Sequence, residues 1–300
     1  WVSAGDRQTT TCAGCQQAAS SWHGTRVAGI IGGRSNNATG IAGATRHPWL
    51  LAVRVIGKCV GRDSDILAAM LWAAGIHVDG VPDNPYPAKV LNLSFGADGS
   101  CSQAYRDVIG QIAAQGTVAI VSAGNEGGPV SSPANCARVA AVAGLRHAGT
   151  KVGYSNLGRE VALSAPAGNC VNTSGACLFS IVTTTNLGTT TPTVHSYTDQ
   201  FNYNVGTSFS APIVSGIAAL MASANEHLDA SQLIERLREG TTKPFPVSSD
   251  PSVQQCHVPL TPADIQNSEC NCTTDTCGAG MANASGALEA GLRPVAGVTV

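Results

Sequence analysis

The chain has 300 residues, of which 43% are hydrophobic and 12% are charged, and its formal net charge is −2. This length and composition predict one large domain or two ordinary ones, with a substantial core. The net negative charge argues against nucleic acid as the main partner, because phosphate binding needs a basic surface. No uninterrupted apolar run reaches membrane-spanning length, and the first residues lack a signal-peptide pattern.

Eleven cysteines are many for a reducing compartment, so their number predicts a secreted protein with several disulfides. The alternative is metal binding through the stretches CAGC and CNCTTDTCG, although neither has finger-like spacing to a histidine or to a second CxxC pair. An odd count leaves one thiol, which is either free or paired with a cysteine outside the chain.

In chain order, four continuous apolar runs have the pattern of strands buried on both faces of a parallel sheet. They are Trp49–Ile56, Lys89–Ser94, Thr117–Gly124 and Val139–Gly144. Helical stretches lie between them, at 64–75 and 102–116. This alternation predicts an α/β fold with a doubly wound, mostly parallel sheet and helices on both faces.

Two later regions are less regular. A Thr-rich stretch from Asn186 to Asn204 predicts a peripheral hairpin or loop. The stretch from about 241 to 280 is rich in Pro, Ser and Cys, and we interpret it as a disulfide-held C-terminal extension of one domain, 1–300. The fold class and this organisation together place active groups at the carboxyl ends of strands and at helix starts.

Three residues lie at such places. His23 opens an Ala/Ile/Gly-rich helix, where a neutral imidazole is favoured over a charged one. Asn125 follows a buried strand, and its amide could donate to an oxyanion. Ser208 starts the helix APIVSGIAAL among small residues, with Pro212 in the predicted first turn.

Each of these residues also has an ordinary structural interpretation. A lone histidine is commonly a core residue, an asparagine between glycines is commonly a turn residue, and a serine before a helix is commonly its cap. The combination and its order are more informative than any one motif. HGT, then NLSFG, then SAGN, then GTSFSAP resembles the subtilisin-like serine proteases, most closely their secreted bacterial members.

The resemblance implies a serine endopeptidase that needs no cofactor for catalysis and acts on protein or peptide substrates. Ser208 would be the nucleophile, His23 the general base, and Asn125 an oxyanion donor. The remaining matched residues would bind substrate: Ser94, Phe95 and Gly96 as an edge strand, and Ser122, Ala123 and Gly124 as a pocket wall. Glu126 lies either at the pocket rim or in solvent.

The family's catalytic aspartate, which precedes the histidine at the end of a buried strand, has no match here. Only a polar stretch precedes His23, and Asp6 lies in it without an apolar strand. We therefore expect an N-terminally truncated domain that lacks one central strand, with the aspartate and a propeptide upstream. The alternative function is a catalytically inactive subtilase-like module that binds peptides.

The resemblance has two further implications. The stretch 33–43 matches a calcium loop in which Asn37 would be a ligand, so a structural calcium ion is expected, with an ordinary turn as the alternative. Placing the chain on the family fold also suggests disulfides, which are Cys101–Cys136, Cys170–Cys177, and Cys59 with Cys12 or Cys15.

Overall fold

The structure is a computed structural model that describes residues 19–57, 61–170, 175–201 and 204–294. These residues form seven α-helices and six β-strands. The helices are α1 (His23–Gly32), α2 (Asp63–Ala73), α3 (Gln103–Ala114), α4 (Thr207–Ala224), α5 (Ala230–Glu239), α6 (Thr274–Cys277) and α7 (Ala284–Gly291). The strands are β1 (Val90–Leu93), β2 (Val118–Ser122), β3 (Val139–Leu145), β4 (Val161–Pro166), β5 (Thr184–Asn186) and β6 (His195–Tyr197).

The main sheet has the order β1-β2-β3-β4, and every neighbouring pair is parallel. Its two central strands are buried along their whole length, because both of their faces are covered. Ala119 and Val121 point to a core shared with α2 and α3. Val118 and Ile120, which alternate with them, point to a core shared with α4 and α5. The doubly wound fold is therefore confirmed, and its helices lie on both faces of the sheet.

Helix α4 forms the centre of the second core. By length and composition it could cross a membrane, but most of it is buried against the sheet, α1 and α7. Its burial identifies it as the core helix of a globular domain. Helix α1 crosses it and also contacts β5, where Gly29 leaves room for the hydroxyl of Thr184.

Most predicted strands are confirmed, and β4 is a strand that the sequence reasoning missed. The predicted strand at Trp49–Ile56 is wrong. This segment forms no ladder within the described residues, and Trp49 is 95% exposed. A strand needs a neighbour for its backbone groups, and the part of the chain that the structure describes supplies none.

The predicted peripheral hairpin is confirmed as the antiparallel pair β5–β6. The cysteine-rich segment 241–283 leaves the core after α5, and the chain returns through α7 to pack on α4 and α5. A small apolar cluster joins the segment to Leu157, which lies earlier in the chain. Its members from the segment are Phe245, Cys256, Cys270, Cys272 and Cys277. The segment is thus attached to the core at both of its ends.

Four disulfides join described cysteines. Cys101–Cys136 and Cys170–Cys177 confirm two of the implied pairs. Cys256–Cys270 and Cys272–Cys277 hold the cysteine-rich segment. Because these thiols are oxidised, the stretch CNCTTDTCG does not offer them as metal ligands. The implied pairing of Cys59 with Cys12 or Cys15 lies outside the described residues.

Candidate active site

Ser208 is the second residue of α4, and Gly206 precedes the helix with a φ of 147°, in the region that favours glycine. The Ser208 hydroxyl donates to the carbonyl oxygen of Ser94 at 3.3 Å, so it does not cap its own helix. At the first turn of a helix the backbone N–H groups have no intrahelical acceptor. The Ser208 hydroxyl therefore lies at the positive end of the helix dipole, which favours negative charge.

Pro212 lies deeper than the sequence predicts. It is the sixth residue of α4, not part of the first turn. Its missing N–H would have bonded to the carbonyl four residues earlier, which is that of Ser208. The hydroxyl of Ser94 donates to this carbonyl at 2.8 Å and replaces the lost bond.

His23 is the first residue of α1, and its imidazole packs against the ring of Phe209 with a centroid distance of 5.9 Å. This contact brings the imidazole next to the residue that follows Ser208. Burial, together with the nearby Arg26 guanidinium, lowers the pKa of His23 below its usual range. The ring is therefore held in its neutral form, which is the form that accepts a proton. Among the described residues, no carboxylate is hydrogen-bonded to it.

Asn125 follows β2 at the carboxyl edge of the sheet. Its side-chain oxygen accepts hydrogen bonds from the Thr207 backbone N–H at 2.8 Å and from the Thr207 hydroxyl at 3.0 Å. These two bonds fix which end of the amide carries the oxygen. The Asn125 NH₂ group is left as a donor at the start of α4, beside Ser208.

Ser208 and Asn125 line one cleft of about 270 Å³. It also contains predicted substrate-binding residues from both expected walls. The lining residues are Phe95, Gly96, Ala97, Asp98, Ser122, Gly124, Asn125, Glu126, Ser131 and Ser208. His23 does not line this cleft, and neither do the other two predicted substrate-binding residues, Ser94 and Ala123. Ser94 bonds to Ser208, and the Ala123 side chain is fully buried in the core.

Sequence reasoning missed Asn156, a buried amide behind the cleft. Its oxygen accepts from the backbone N–H groups of Glu126 and Gly128 at 2.8 and 3.1 Å. Its NH₂ group donates to the Glu126 carboxylate and to the Ser131 hydroxyl, both at 2.9 Å. One side chain therefore holds the loop after Asn125 to the opposite wall. No motif marks it, because the three residues that it bonds are distant in the chain.

Tyr154 was also missed. Its hydroxyl accepts from the Gly206 backbone N–H at 2.9 Å and donates to the Gly168 carbonyl at 2.6 Å. Its own carbonyl accepts from the Gly127 N–H at 2.8 Å. Tyr154 thus links the loop that carries Asn125 to the start of the helix that carries Ser208.

The oxygen atoms around Asn37 do not form a calcium site on their own. Asn37 is exposed, and its side-chain oxygen accepts the Thr39 backbone N–H at 3.2 Å, as in an ordinary turn. The stretch 33–43 contains no carboxylate, whereas calcium takes six to eight oxygen ligands, commonly including carboxylates. Asp6 lies outside the described residues.

A serine at the start of a buried helix, in one cleft with an amide from the end of a parallel strand, is typical of α/β proteins that carry out nucleophilic catalysis. The family model of the Subtilase family matches residues 6–258. The chain belongs to this family.

Named relatives and solved structures agree with this assignment. The chain is 42% identical over 236 residues to an extracellular protease of Xanthomonas campestris pv. campestris, covering 78% of this chain and 38% of that protein. It is 41% identical over 207 residues to an extracellular basic protease of Dichelobacter nodosus, covering 68% of this chain and 32% of that protein. A solved protease structure from Pseudoalteromonas arctica superposes with a TM-score of 0.76 at 34% identity, covering 91% of this chain and 72% of that one. The chain thus spans well under half the length of these two sequence relatives.

Proposed function

We propose that the chain is the main part of the catalytic domain of a secreted serine endopeptidase, with Ser208 as nucleophile and His23 as general base. The observation that carries this proposal is the cleft shared by the Ser208 hydroxyl and the Asn125 amide. Family membership supports the same reaction, peptide-bond hydrolysis.

The reaction starts when the Ser208 oxygen attacks the scissile carbonyl carbon while its proton passes to the neutral His23 imidazole. The carbonyl oxygen becomes an oxyanion, which the Asn125 NH₂ group and the Ser208 backbone N–H stabilise. His23 then returns the proton to the leaving amine, the C–N bond breaks and an acyl-enzyme forms. Water, deprotonated by His23, releases the acid product and restores the serine.

The cleft walls bind the substrate on either side of this centre. The exposed backbone of Ser94–Gly96 can pair with an extended peptide as an added strand. Ser122, Gly124 and Ser131 line the space for the adjacent side chain. Two carboxylates, Asp98 and Glu126, also line it, so polar or basic substrate side chains are tolerated there.

The orienting aspartate is proposed to come from a strand outside the described residues, inserted beside β1. β1 pairs with β2 on one side, and no described strand pairs with its other edge. Val55 and Leu91 are both partly buried against the same core, which supports a position of the segment Trp49–Ile56 on the β1 side of the sheet. Trp49, Leu50 and Leu51 are exposed, and a strand between the segment and β1 would cover them.

Secretion and a propeptide belong to the same proposal. The four disulfides are stable in an oxidising compartment, and the two named sequence relatives are extracellular proteins. Catalysis through serine, histidine and aspartate needs no cofactor. A calcium ion at 33–43 would be structural, and it would need carboxylate ligands from outside that stretch.

The reaction is tested by treating the full-length protein with a serine-directed fluorophosphonate. We expect stoichiometric labelling of Ser208, together with peptidase activity that S208A abolishes. S210A is the matched control, because Ser210 is in the same helix and its hydroxyl donates to the buried Ala165 carbonyl. A folded wild-type protein that neither labels nor cleaves would instead support the peptide-binding module.

The inserted strand is tested by comparing Trp49 in the 300-residue chain and in the full-length protein. We expect acrylamide to quench Trp49 fluorescence strongly in the shorter chain and weakly in the longer one, with W49F identifying the signal. Slow amide exchange only in the full-length protein, at the β1 positions whose N–H groups point away from β2, would agree. Equal quenching in both proteins would refute the insertion.

A further inference from the structure

The carbonyl oxygen of Ser208 obtains its hydrogen bond from another part of the chain. In a regular helix it would accept from the N–H of residue 212, but residue 212 is proline. The Ser94 hydroxyl donates to it instead, at 2.8 Å. In return, the Ser208 hydroxyl donates to the Ser94 carbonyl at 3.3 Å. Two residues 114 positions apart are thus joined by a reciprocal pair of bonds.

The Ser94 hydroxyl is itself held by a residue of β1, the strand that ends just before it. The Asn92 NH₂ group donates to the Ser94 oxygen at 2.9 Å, which directs the hydroxyl proton of Ser94 away from Asn92 and toward Ser208. The Asn92 oxygen accepts from the Ser215 hydroxyl at 2.9 Å, two turns along α4. Asn92 therefore connects β1 to the same helix at a second point.

We propose that Ser94, oriented by Asn92, is a positioning residue for the Ser208 nucleophile, and that Pro212 makes this possible by freeing the Ser208 carbonyl. This inference rests on the proposed function. The bond from Ser94 supplies the hydrogen bond that α4 cannot give to this carbonyl, and it thereby fixes the peptide group next to the Ser208 side chain.

The proposal makes a specific rescue prediction. S94A removes the donor and leaves the Ser208 carbonyl without a partner. P212A restores a backbone N–H four residues after Ser208, which can form the ordinary helical bond. In the double variant the Ser208 carbonyl is again satisfied, from within α4. A purely structural loss at Ser94 would not be repaired by a change at Pro212.

The experiment measures kcat, KM and the rate of fluorophosphonate labelling for the full-length wild type, S94A, P212A and the double variant. We expect S94A to lower kcat and the labelling rate by roughly 10- to 100-fold, the order of effect for a displaced reacting group. KM should stay within about threefold, because substrate pairing uses the backbone of residues 94–96. The double variant should recover at least half of the loss on a logarithmic scale, as a double-mutant cycle would show.

Two further variants separate positioning from folding. N92D replaces the donor amide with an acceptor, so the Ser94 proton is drawn to the new carboxylate, and labelling should slow without removal of the hydroxyl. S164A is the matched control, because Ser164 is a buried serine whose hydroxyl also donates to a carbonyl, that of Cys277, at 2.7 Å. It should lower the melting temperature without changing the labelling rate.

The outcomes distinguish this inference from the proposed function. If S94A and N92D label as fast as the wild type, the positioning role is wrong while the serine mechanism stands. The positioning role is also wrong if S94A slows labelling but P212A restores nothing. If the wild type itself does not label, the proposed function fails.

Discussion

The two sides of the candidate site are built differently. On the serine side, Asn125, Thr207 and Ser208 are fixed by bonds among described residues, with Tyr154 and Asn156 behind them. On the histidine side, the His23 ring contacts Phe209 and carries no described hydrogen bond to a carboxylate. The difference teaches that the groups around Ser208 and Asn125 are held by bonds within the described part of the chain, whereas the described residues supply no carboxylate to orient the His23 imidazole.

The self-contained side is tested most strongly by N125L, which at nearly constant volume removes the amide donor together with the oxygen that accepts from Thr207. We expect kcat to fall about 10²- to 10³-fold, equivalent to about 3–4 kcal/mol, with KM little changed. Steady-state kinetics on a peptide substrate measures this. N225L is the control, because Asn225 lies at the far end of α4 and donates to the Gly291 carbonyl. A loss of less than threefold in N125L would show that the donor is elsewhere.

The same side carries the Cys101–Cys136 disulfide, which joins the segments that follow Gly96 and Ser131. Its sequence separation is 35, so replacing both cysteines by serine should cost about 3–4 kcal/mol of unfolding free energy. The disulfide Cys272–Cys277 spans only five positions and should contribute about 2 kcal/mol. Urea unfolding of the two double variants gives the comparison, and equal losses would contradict the loop-length argument.

Lys151, a buried residue behind the Asn125 loop, provides a further test of the serine side. Its ammonium group is fully buried and donates to the carbonyls of Val152, Gly153 and Gln266. Burial lowers the pKa of Lys151 to about 8 from 10.5. Between those pH values the unfolded chain binds a proton that the folded chain does not, so stability from this group rises with pH.

We therefore expect K151M to remove an increase in unfolding free energy of up to about 3 kcal/mol between about pH 8 and 10.5. Denaturant unfolding of wild type and variant at pH 7.5 and 10.5 measures the difference in slope. Parallel pH dependence in the two proteins would mean that Lys151 titrates as an exposed lysine.

The smallest expected effect concerns the histidine side. The Arg26 charge helps to lower the pKa of His23, so R26M should raise that pKa and move the acid limb of kcat/KM to higher pH, by less than about one unit. R26K keeps the charge and should leave the limb in place. A shift to lower pH in R26M would reverse the assigned sign. Arg26 also donates to Asn204 at 2.7 Å, so melting temperatures are compared for both variants.

Local patterns in the sequence were sufficient for much of the fold. The continuous apolar runs at β1, β2 and β3 predicted buried parallel strands, because only a doubly covered sheet accepts such runs. The motifs around Asn125 and Ser208 indicated one site, and the structure brings those two residues into one cleft. The assigned catalytic roles stay predictions until labelling and kinetics are measured.

Two errors have the same physical origin. Trp49–Ile56 has the composition of a buried strand, but composition does not supply the neighbour that a strand requires. Pro212 is a residue type that suits a first turn. The helix begins five residues earlier, at Thr207, because Gly206 precedes it and the Asn125 oxygen accepts the Thr207 N–H. In both cases the outcome depended on a partner that is distant in the chain.

The sequence by itself determined most of the elements and the family, because these follow from local periodicity and short motifs, and the same motifs predicted the site residues. Only the tertiary structure decided what holds those residues in place: Ser94 on the Ser208 carbonyl, Asn156 between the cleft walls and Tyr154 between loop and helix. Each of these contacts is a single hydrogen bond between positions far apart in the chain. Such a bond depends on three-dimensional proximity, which no local pattern encodes.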